Sequence, residues 1–262
     1  RHEDLKRISE ALTQGEFVLY YQPKVNMRTG TVIGAEALIR WQHPERGLLP
    51  PGVFLPTIED HLLGVEVGEW VIASALTQMS AWQAQGLDLA VSVNIGAMQL
   101  QQPNFPERLQ AILAAHPDAA PQRLQLEILE TSALDDIESV MAVMHACLAL
   151  GVTFALDDFG TGYSSLTYLK HLPTETLKID QSFIRNMTNS ADDLAIVEGV
   201  IGLAEVFQRQ VIAEGVETQV LGDLLLSIHC DLAQGYGVAR PMPALDIPAW
   251  ALKWQMNAAW TA

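Results

Sequence analysis

The sequence predicts an α/β fold, and within that class a closed TIM-type (β/α)8 barrel. Two observations support this prediction: eight strand-like segments alternate with helical segments, and the chain has 262 residues with 49% hydrophobic content. Such alternation is typical of parallel βα units, and about 250 residues is the usual length of a barrel built from them. An open, doubly wound sheet is the alternative, because it uses the same alternation.

The chain opens with a helical segment and a hairpin. Residues 1–15 have apolar residues at helical spacing and end at Gly15, so we interpret them as an N-terminal connector helix before a domain over 16–262. Strands are predicted at 17–22 and 31–38, with a turn at 27–30. The close spacing of these two strands indicates an antiparallel hairpin.

After a proline-rich loop the predicted elements alternate regularly. Strands are expected at 89–93, 124–128, 152–156, 176–179, 210–213 and 230–233. Helices are expected at 65–85, 107–115, 137–150, 193–207, 219–227 and 247–256. No internal repeat, low-complexity tract or linker interrupts this order, which favours one domain after the connector.

The composition restricts the possible partners and the location. Lys and Arg total 15 against 31 Asp and Glu, a formal net charge of −16, which argues against binding to a nucleic acid polymer. Cys147 and Cys230 show neither pairing nor Cys-x-x-Cys spacing, so we expect both to be reduced. Without a membrane-spanning run or a signal sequence, the segment is predicted to be cytoplasmic and to make no membrane contact; a membrane anchor elsewhere in the parent protein stays open.

Two adjacent acids follow a predicted buried strand. Asp157 and Asp158 come directly after residues 152–156, and a glycine-rich turn follows them. Neighbouring carboxylates repel each other when both are ionised, and a bound cation or a shared proton usually accommodates such a pair. The alternative is a turn whose acids cap a helix, a role that Asp also favours.

Polar side chains end seven of the eight predicted strands. These residues are Glu36, Asn94, Glu127, Asp157 with Asp158, Lys178 with Asp180, Glu214 and Gln234. In a barrel these strand ends meet at one mouth, where about five or six carboxylates would gather. Oxygen ligands favour Mg²⁺ or Mn²⁺ over Zn²⁺, and there are enough of them for two ions bridged by Asp157.

Two cationic side chains accompany these acids. Lys178 is suited to orienting or polarising a metal-bound water, and neutralising the acids in a structural ion pair is its alternative role. Arg40 follows the second predicted strand by two residues, and its guanidinium is suited to binding a phosphate. A surface ion pair with Glu45 is the alternative interpretation of Arg40.

A series of short motifs occurs in the order found in one known family. They are Tyr20-Tyr-Gln-Pro23, Glu36-Ala-Leu-Ile-Arg40, Ser92-Val-Asn94, Glu127-x-x-Glu130, the run 157–165 (Asp-Asp-Phe-Gly-Thr-Gly-Tyr-Ser-Ser), Lys178-Ile-Asp180, Ala213-Glu-Gly-Val-Glu217, and Gln234-Gly-Tyr236 with Arg240-Pro-Met-Pro243. The chain therefore resembles the EAL family of cyclic di-GMP phosphodiesterases over residues 16–243. The Glu-Ala-Leu motif alone recurs by chance, whereas the whole set is specific.

The resemblance implies a reaction, a cofactor and a metal site. The implied reaction is hydrolysis of one phosphodiester of cyclic di-GMP to linear pGpG, in a barrel whose first strand runs antiparallel to the others. The implied cofactor is Mg²⁺ or Mn²⁺, with two ions per site. The implied metal ligands are Glu36, Asn94, Glu127, the bridging Asp157, Asp158 on the second ion, and Glu214. The implied catalytic residues are Glu36, Asp157, Glu214 and the water-orienting Lys178.

The resemblance also implies substrate contacts and supporting residues. The expected substrate contacts are Gln22, Leu38, Arg40 and Gln234. Asp180 and Glu217 are expected as supporting acids near the metals or their waters. Glu130 resembles the anchor of the loop that runs from Asp158 to residue 165, which couples dimerisation to metal binding in the family, so a homodimer is expected.

Departures from the family pattern are Gly96 in place of a common Ser, Leu129 in place of a Thr, and Gly237-Val238 in place of an aromatic pair. None of these is a proposed ligand, so we expect them to alter rate and affinity.

Two alternative functions remain: a cyclic di-GMP receptor that does not hydrolyse it, and a module that regulates a neighbouring domain. The family often has an upstream sensory or diguanylate-cyclase-like domain, and one is expected in the parent protein.

Overall fold

Eight of ten strands close into a barrel in the structure, a computed structural model that describes residues 2–130, 136–161 and 166–257. The strands are β1 (Phe17–Asn26), β2 (Thr31–His43), β3 (Gly47–Leu49), β4 (Val91–Ile95), β5 (Leu124–Leu129), β6 (Thr153–Phe159), β7 (Thr176–Ile179), β8 (Gln210–Ala213), β9 (Leu232–Ala233) and β10 (Met242–Pro243). The short strands β3 and β10 pair with β2 and β1 and lie outside the barrel.

The first strand runs in the opposite direction to its neighbours. β1 pairs antiparallel with β2 and with β9, whereas every strand pair from β2–β4 to β8–β9 is parallel. The β1–β9 pairing closes the sheet on itself. The predicted TIM-type barrel with an antiparallel first strand is therefore confirmed, and the open-sheet alternative is wrong.

Helices surround the barrel, and several begin at a capping side chain. They are α1 (His2–Thr13), α2 (Leu55–Ile58), α3 (Leu62–Ala84), α4 (Ala97–Leu100), α5 (Phe105–Ala114), α6 (Ile137–Leu148), α7 (Leu166–His171), α8 (Gln181–Asn186), α9 (Ala191–Val206), α10 (Gln219–Ser227) and α11 (Ile247–Asn257). Asp136, Ser190 and Thr218 each accept a hydrogen bond from the backbone N–H three residues later. None of the helices in the described ranges has the length and apolar character needed to cross a bilayer.

Strand alternation separates the apolar core from the polar interior of the barrel. Along β4, the buried residues Val91, Val93 and Ile95 alternate with Ser92 and Asn94. Successive side chains of a strand point to opposite faces of the sheet, so the apolar set packs against the helices and the polar set lines the barrel interior. The same alternation on the other strands directs the site residues inward.

Several boundaries differ from the prediction because pairing extends the strands. β2 continues to His43, since its last residues pair with β1 and β3, so Arg40 lies within a strand and not beyond one. β6 continues through Asp157 and Asp158 to Phe159, and β9 begins at Leu232. The short elements outside the predictions are β3, β10, α2, α4, α7 and α8, because segments this short show no clear hydrophobic period.

Gly235 allows close contact between two loops beside the site. Its φ is 156°, and a Cβ at this position would lie 2.3 Å from the backbone nitrogen of Val216. Because backbone atoms cannot move aside easily, we expect Gly235→Ala to lower the free energy of unfolding by about 1–3 kcal/mol. Urea denaturation measures this change.

The matched control is Gly199→Ala in α9, where a Cβ meets no atom within 4 Å. Ala is a better helix former than Gly, so this variant should be neutral or more stable by up to about 1 kcal/mol. Equal stability of the two variants would contradict the role given to Gly235.

Candidate active site

The carboxyl ends of the parallel strands meet around one buried ammonium group. Lys178 Nζ, on β7, lies 3.1 Å from Glu36 Oε2, 2.8 Å from Glu127 Oε2 and 2.8 Å from Glu214 Oε1. A fourth carboxylate oxygen, Asp157 Oδ1, lies 3.9 Å away. The Lys178 side chain has no exposed surface, so these charges interact with little screening by water.

Strand register brings residues that are distant in sequence to the same depth of the barrel. Asn94 on β4 is the parallel partner of Glu127 on β5. Glu36 on β2 accepts hydrogen bonds from Asn94 Nδ2 at 2.8 Å and from Gln234 Nε2 at 2.6 Å. Gln234 Nε2 also donates to Gln22 Oε1 at 2.9 Å. Both glutamines therefore help to fix the carboxylate of Glu36.

Two groups of three carboxylates are close enough to share a metal ion. Ligand atoms of Glu36, Glu127 and Asp157 lie within 4.8 Å of one another, and the same is true of Asp157, Asp158 and Glu214. Asp157 belongs to both groups. A donor set made only of oxygen suits a hard divalent cation such as Mg²⁺ or Mn²⁺, so the residues present fit a metal site.

Burial disfavours the charged forms of Lys178 and Glu127, but the ion pairs that they make favour these charged forms more strongly. Burial lowers the pKa of Lys178, but attraction to Glu127, Glu214 and Glu36 outweighs this effect and holds the pKa well above its ordinary value. Burial raises the pKa of Glu127, but Lys178 and Lys24 outweigh that effect and hold it well below its ordinary value. Both groups are therefore charged at neutral pH.

The remaining acids carry the excess negative charge of the site. Burial raises the pKa of Asp157, and repulsion from Glu127 adds to this against the attraction of Lys178. Burial and repulsion from Asp157 raise the pKa of Asp158 to about 7. Burial raises the pKa of Glu214 well above its ordinary value despite the nearby Lys178. A bound cation would relieve this unfavourable charge.

Lys24 is a site residue outside the predicted set. Its side chain is buried, and Nζ donates to Glu127 Oε1 at 2.7 Å and to Ser92 Oγ at 2.6 Å. Lys24 and Gln22 are two residues apart on β1, so both side chains point toward the barrel interior. The only signal in the sequence is a lysine between Pro23 and Val25, close after a predicted strand.

A cavity of about 350 Å³ opens beside the carboxylates, and all four predicted substrate contacts line it. These residues are Gln22, Leu38, Arg40 and Gln234. The Arg40 guanidinium lies 5.6 Å from the centre of the Tyr20 ring, and Nη1 donates to the Ile39 carbonyl at 2.9 Å. Among the described ion pairs Arg40 has none with Glu45, so the structure does not support that alternative.

The predicted supporting residues surround the carboxylates. Glu130 is buried, and its Oε2 accepts a hydrogen bond from the backbone N–H of Gly160 at 3.2 Å. Residues 162–165 of the predicted loop lie outside the described ranges. Asp180 caps α8 by accepting from the Ser182 N–H at 3.0 Å, and Glu217 forms an ion pair with Arg185 at 3.2 Å. Neither acid belongs to the two carboxylate groups.

The barrel and its carboxylates define a (β/α)8-barrel protein with an oxygen-rich, metal-compatible site at the carboxyl end of its strands. Comparison with known families identifies it further. The chain belongs to the EAL domain family, whose model matches residues 5–241. The predicted family is therefore confirmed.

Relatives in Pseudomonas aeruginosa share most of this chain. The chain is 41% identical over 246 residues to the bifunctional diguanylate cyclase/cyclic di-GMP phosphodiesterase MucR, covering 94% of this chain and 36% of MucR. It is 36% identical over 247 residues to a cyclic di-GMP phosphodiesterase, covering 94% of this chain and 42% of that protein. The chain thus spans less than half the length of these curated relatives.

Solved structures have the same fold. The PaMucR phosphodiesterase in complex with c-di-GMP superposes with a TM-score of 0.89 at 40% identity, covering 94% of this chain and 99% of that one. The EAL enzyme Bd1971, in a form with cAMP and cyclic di-GMP bound, superposes with a TM-score of 0.88 at 30% identity, covering 94% of this chain and 68% of that one.

Asp158 makes the stability of the metal-free protein depend on pH. Its pKa rises from 3.8 to about 7 on folding, so the stability it contributes is fully present below its unfolded pKa and is lost as the pH rises through about 7. In a metal chelator, the Tm of the wild type should therefore fall between about pH 4 and 7. Asp158→Asn should reduce this fall, as measured by differential scanning calorimetry.

Asp118→Asn is the matched control, because Asp118 is exposed on a turn that precedes the amino end of β5, whereas the site lies at the carboxyl ends of the strands. This variant should follow the wild-type pH profile. If Asp158→Asn shows the same fall in Tm as the wild type, the assignment of a raised pKa to Asp158 is wrong.

Proposed function

We propose that this chain hydrolyses one phosphodiester of cyclic di-GMP to linear pGpG. The observation that supports this proposal most is the pair of carboxylate groups that share Asp157, next to a cavity lined by Arg40. Carboxylates that hold divalent cations and a cation that binds phosphate are the parts that phosphodiester hydrolysis requires. Two relatives named for this activity support the same substrate.

The cofactor we propose is Mg²⁺ or Mn²⁺, with two ions in each site. Asp157 would bridge them, because it alone is common to both described carboxylate groups. The remaining proposed ligands are Glu36, Asn94 and Glu127 on one ion, and Asp158 and Glu214 on the other. When bound, the ions supply a water of lowered pKa and neutralise charge on the phosphodiester.

Lys178 acts as a hydrogen-bond donor in the proposed reaction. In the metal-free protein, despite burial, attraction to Glu127, Glu214 and Glu36 holds its pKa well above the ordinary value, so its ammonium is a donor. Its ammonium is 2.8 Å from both Glu127 and Glu214, which places it between the two carboxylate groups. From that position Lys178 can orient the attacking water and stabilise negative charge on a phosphoryl oxygen.

Substrate contacts fall into two kinds in this proposal. Arg40 is half-buried and lines the cavity, so its guanidinium binds a phosphate, and Leu38 on the same strand face contributes apolar surface. Gln22 Nε2 already donates to the Ala239 carbonyl at 3.1 Å, and Gln234 donates to Glu36. These glutamines line the cavity and also hold the catalytic carboxylate in place.

The proposed partners and location extend to the parent protein. The chain covers 36% of MucR, a bifunctional cyclase and phosphodiesterase, which supports a sensory or diguanylate-cyclase-like domain in the parent protein. The hydrogen bond from the Gly160 N–H to Glu130 supports the role of Glu130 as the loop anchor, and the homodimer is proposed from the family resemblance. Cys147 and Cys230 are free and buried, which supports a cytoplasmic domain in which both stay reduced.

Removing single carboxylates tests the metal ligands. Glu36→Gln and Asp157→Asn should each lower turnover of cyclic di-GMP with Mg²⁺ or Mn²⁺ by at least about a hundredfold, because each removes a charged ligand. Chromatography of pGpG formed over time measures the loss. Asp118→Asn should retain wild-type activity, and wild-type rates in Glu36→Gln would refute the site. A wild type that binds cyclic di-GMP at saturating metal without forming pGpG would support the receptor alternative.

Replacing the phosphate-binding cation tests the substrate contact. Arg40→Lys keeps the charge but loses the planar fork that binds two phosphate oxygens, so KM for cyclic di-GMP should rise about tenfold with a smaller change in kcat. Steady-state kinetics at saturating Mn²⁺ separates the two parameters. Arg46→Lys, on the exposed turn before β3, is the control. An unchanged KM in Arg40→Lys would contradict the assignment.

A further inference from the structure

The two oxygens of Glu127 have different cationic partners. Oε1 accepts from Lys24 Nζ at 2.7 Å, and Oε2 accepts from Lys178 Nζ at 2.8 Å. The Glu127 side chain has no exposed surface, and the Lys24 side chain is only 5% exposed. Because water cannot replace either partner at this depth, each oxygen keeps a defined role.

The two lysines reach Glu127 from opposite ends of the barrel. Lys178 lies among the carboxylates, in contact with Glu36 and Glu214. Lys24 and Ser92 instead line a second cavity of about 370 Å³, together with residues from the amino ends of the parallel strands. Lys24 is therefore separated from the proposed metal position by the Glu127 carboxylate itself.

Local structure holds the Lys24 ammonium in this position. Ser92 Oγ accepts a hydrogen bond from Nζ at 2.6 Å. The pairing of β1 with β2 shifts register between Lys24 and Val25, so an irregularity interrupts the antiparallel ladder directly after Lys24. The β1 backbone and two hydrogen-bond acceptors, Ser92 Oγ and Glu127 Oε1, therefore fix the Lys24 ammonium. The second oxygen of Glu127, Oε2, faces the other acids.

We propose that Lys24 sets the metal selectivity of the site by making Glu127 a one-oxygen ligand. This inference rests on the proposed metal site. Lys24 occupies Oε1, so Oε2, which also accepts from Lys178, is the one oxygen of Glu127 on the side of the other acids that a cation can share. Mg²⁺ requires near-octahedral geometry and takes single oxygens, whereas Ca²⁺ accepts more ligands and often binds both oxygens of one carboxylate. Lys24 thus holds Glu127 in an arrangement that raises the affinity for Mg²⁺ or Mn²⁺ relative to that for Ca²⁺.

The ratio of two metal affinities separates this role from a simple charge effect. Replacing Lys24 with a neutral residue removes a positive charge near the site, which strengthens the attraction for every divalent cation by a similar factor. The ratio of Ca²⁺ affinity to Mg²⁺ affinity cancels that common factor. The ratio changes only when the number of available oxygens changes.

Isothermal titration calorimetry of the metal-free chain with Ca²⁺ and with Mg²⁺ tests the proposal without substrate. In Lys24→Met, the ratio of Ca²⁺ to Mg²⁺ affinity should rise about tenfold over the wild type, since Glu127 can then offer both oxygens. Lys24→Arg should restore the wild-type ratio, because it keeps a charged donor and the cavity beside it gives space. Lys6→Met, at a side chain 75% exposed on α1, is the matched control and should leave the ratio unchanged.

The outcomes separate this inference from the proposed function. If the wild type binds neither ion, the proposed metal site is wrong. If it binds both and Lys24→Met changes both affinities by one common factor, only the selectivity role of Lys24 is overturned. Circular dichroism establishes that each variant is folded. Should Lys24→Met not fold, Lys24→Gln, a neutral polar replacement beside Ser92, must raise the ratio in the same direction or the proposal fails.

Discussion

The buried ammonium of Lys178 joins four strands of the barrel by contacting Glu36, Glu127, Asp157 and Glu214. Removing one partner of a buried ion pair typically costs about 3–5 kcal/mol, so these contacts depend on one another. The acids still outnumber the cations. Two lysines, Lys178 and Lys24, stand against these four carboxylates and Asp158, and the surplus of carboxylates suits the binding of divalent cations.

The outer face of the barrel stabilises the fold, and its interior holds the side chains of the candidate site. Its outer face packs apolar residues such as Val93 and Ile95 against the helices, and this layer supplies the hydrophobic stabilisation. The interior of a TIM-type barrel is usually filled with branched apolar side chains, whereas here it contains two lysines and several acids. Because the outer layer stabilises the fold, the interior can hold charges whose arrangement is unfavourable until cations bind.

The clustering of the acids could be predicted, because parallel strands end at one mouth and each predicted parallel strand ends in a polar residue. Lys24 could not, because it lies past a predicted strand end and only the pairing with β2 turns it toward Glu127. Arg40 lies inside β2 because it pairs with Val18 of β1, and the hydrophobic pattern of residues 31–38 does not reveal this pairing. The φ of 53° at Asp158 likewise follows from tertiary structure, since nothing in an Asp-Asp pair requires it.

The carboxylates that contact Lys178 are also among the proposed metal ligands. Anomalous diffraction at the manganese edge, from crystals of this chain soaked in Mn²⁺, tests this most directly. The proposed metal site predicts anomalous peaks among Glu36, Glu127, Asp157, Asp158 and Glu214, with the Lys178 ammonium beside the bound ions. Absence of any peak among these residues, with the Lys178 contacts unchanged at saturating Mn²⁺, would contradict it.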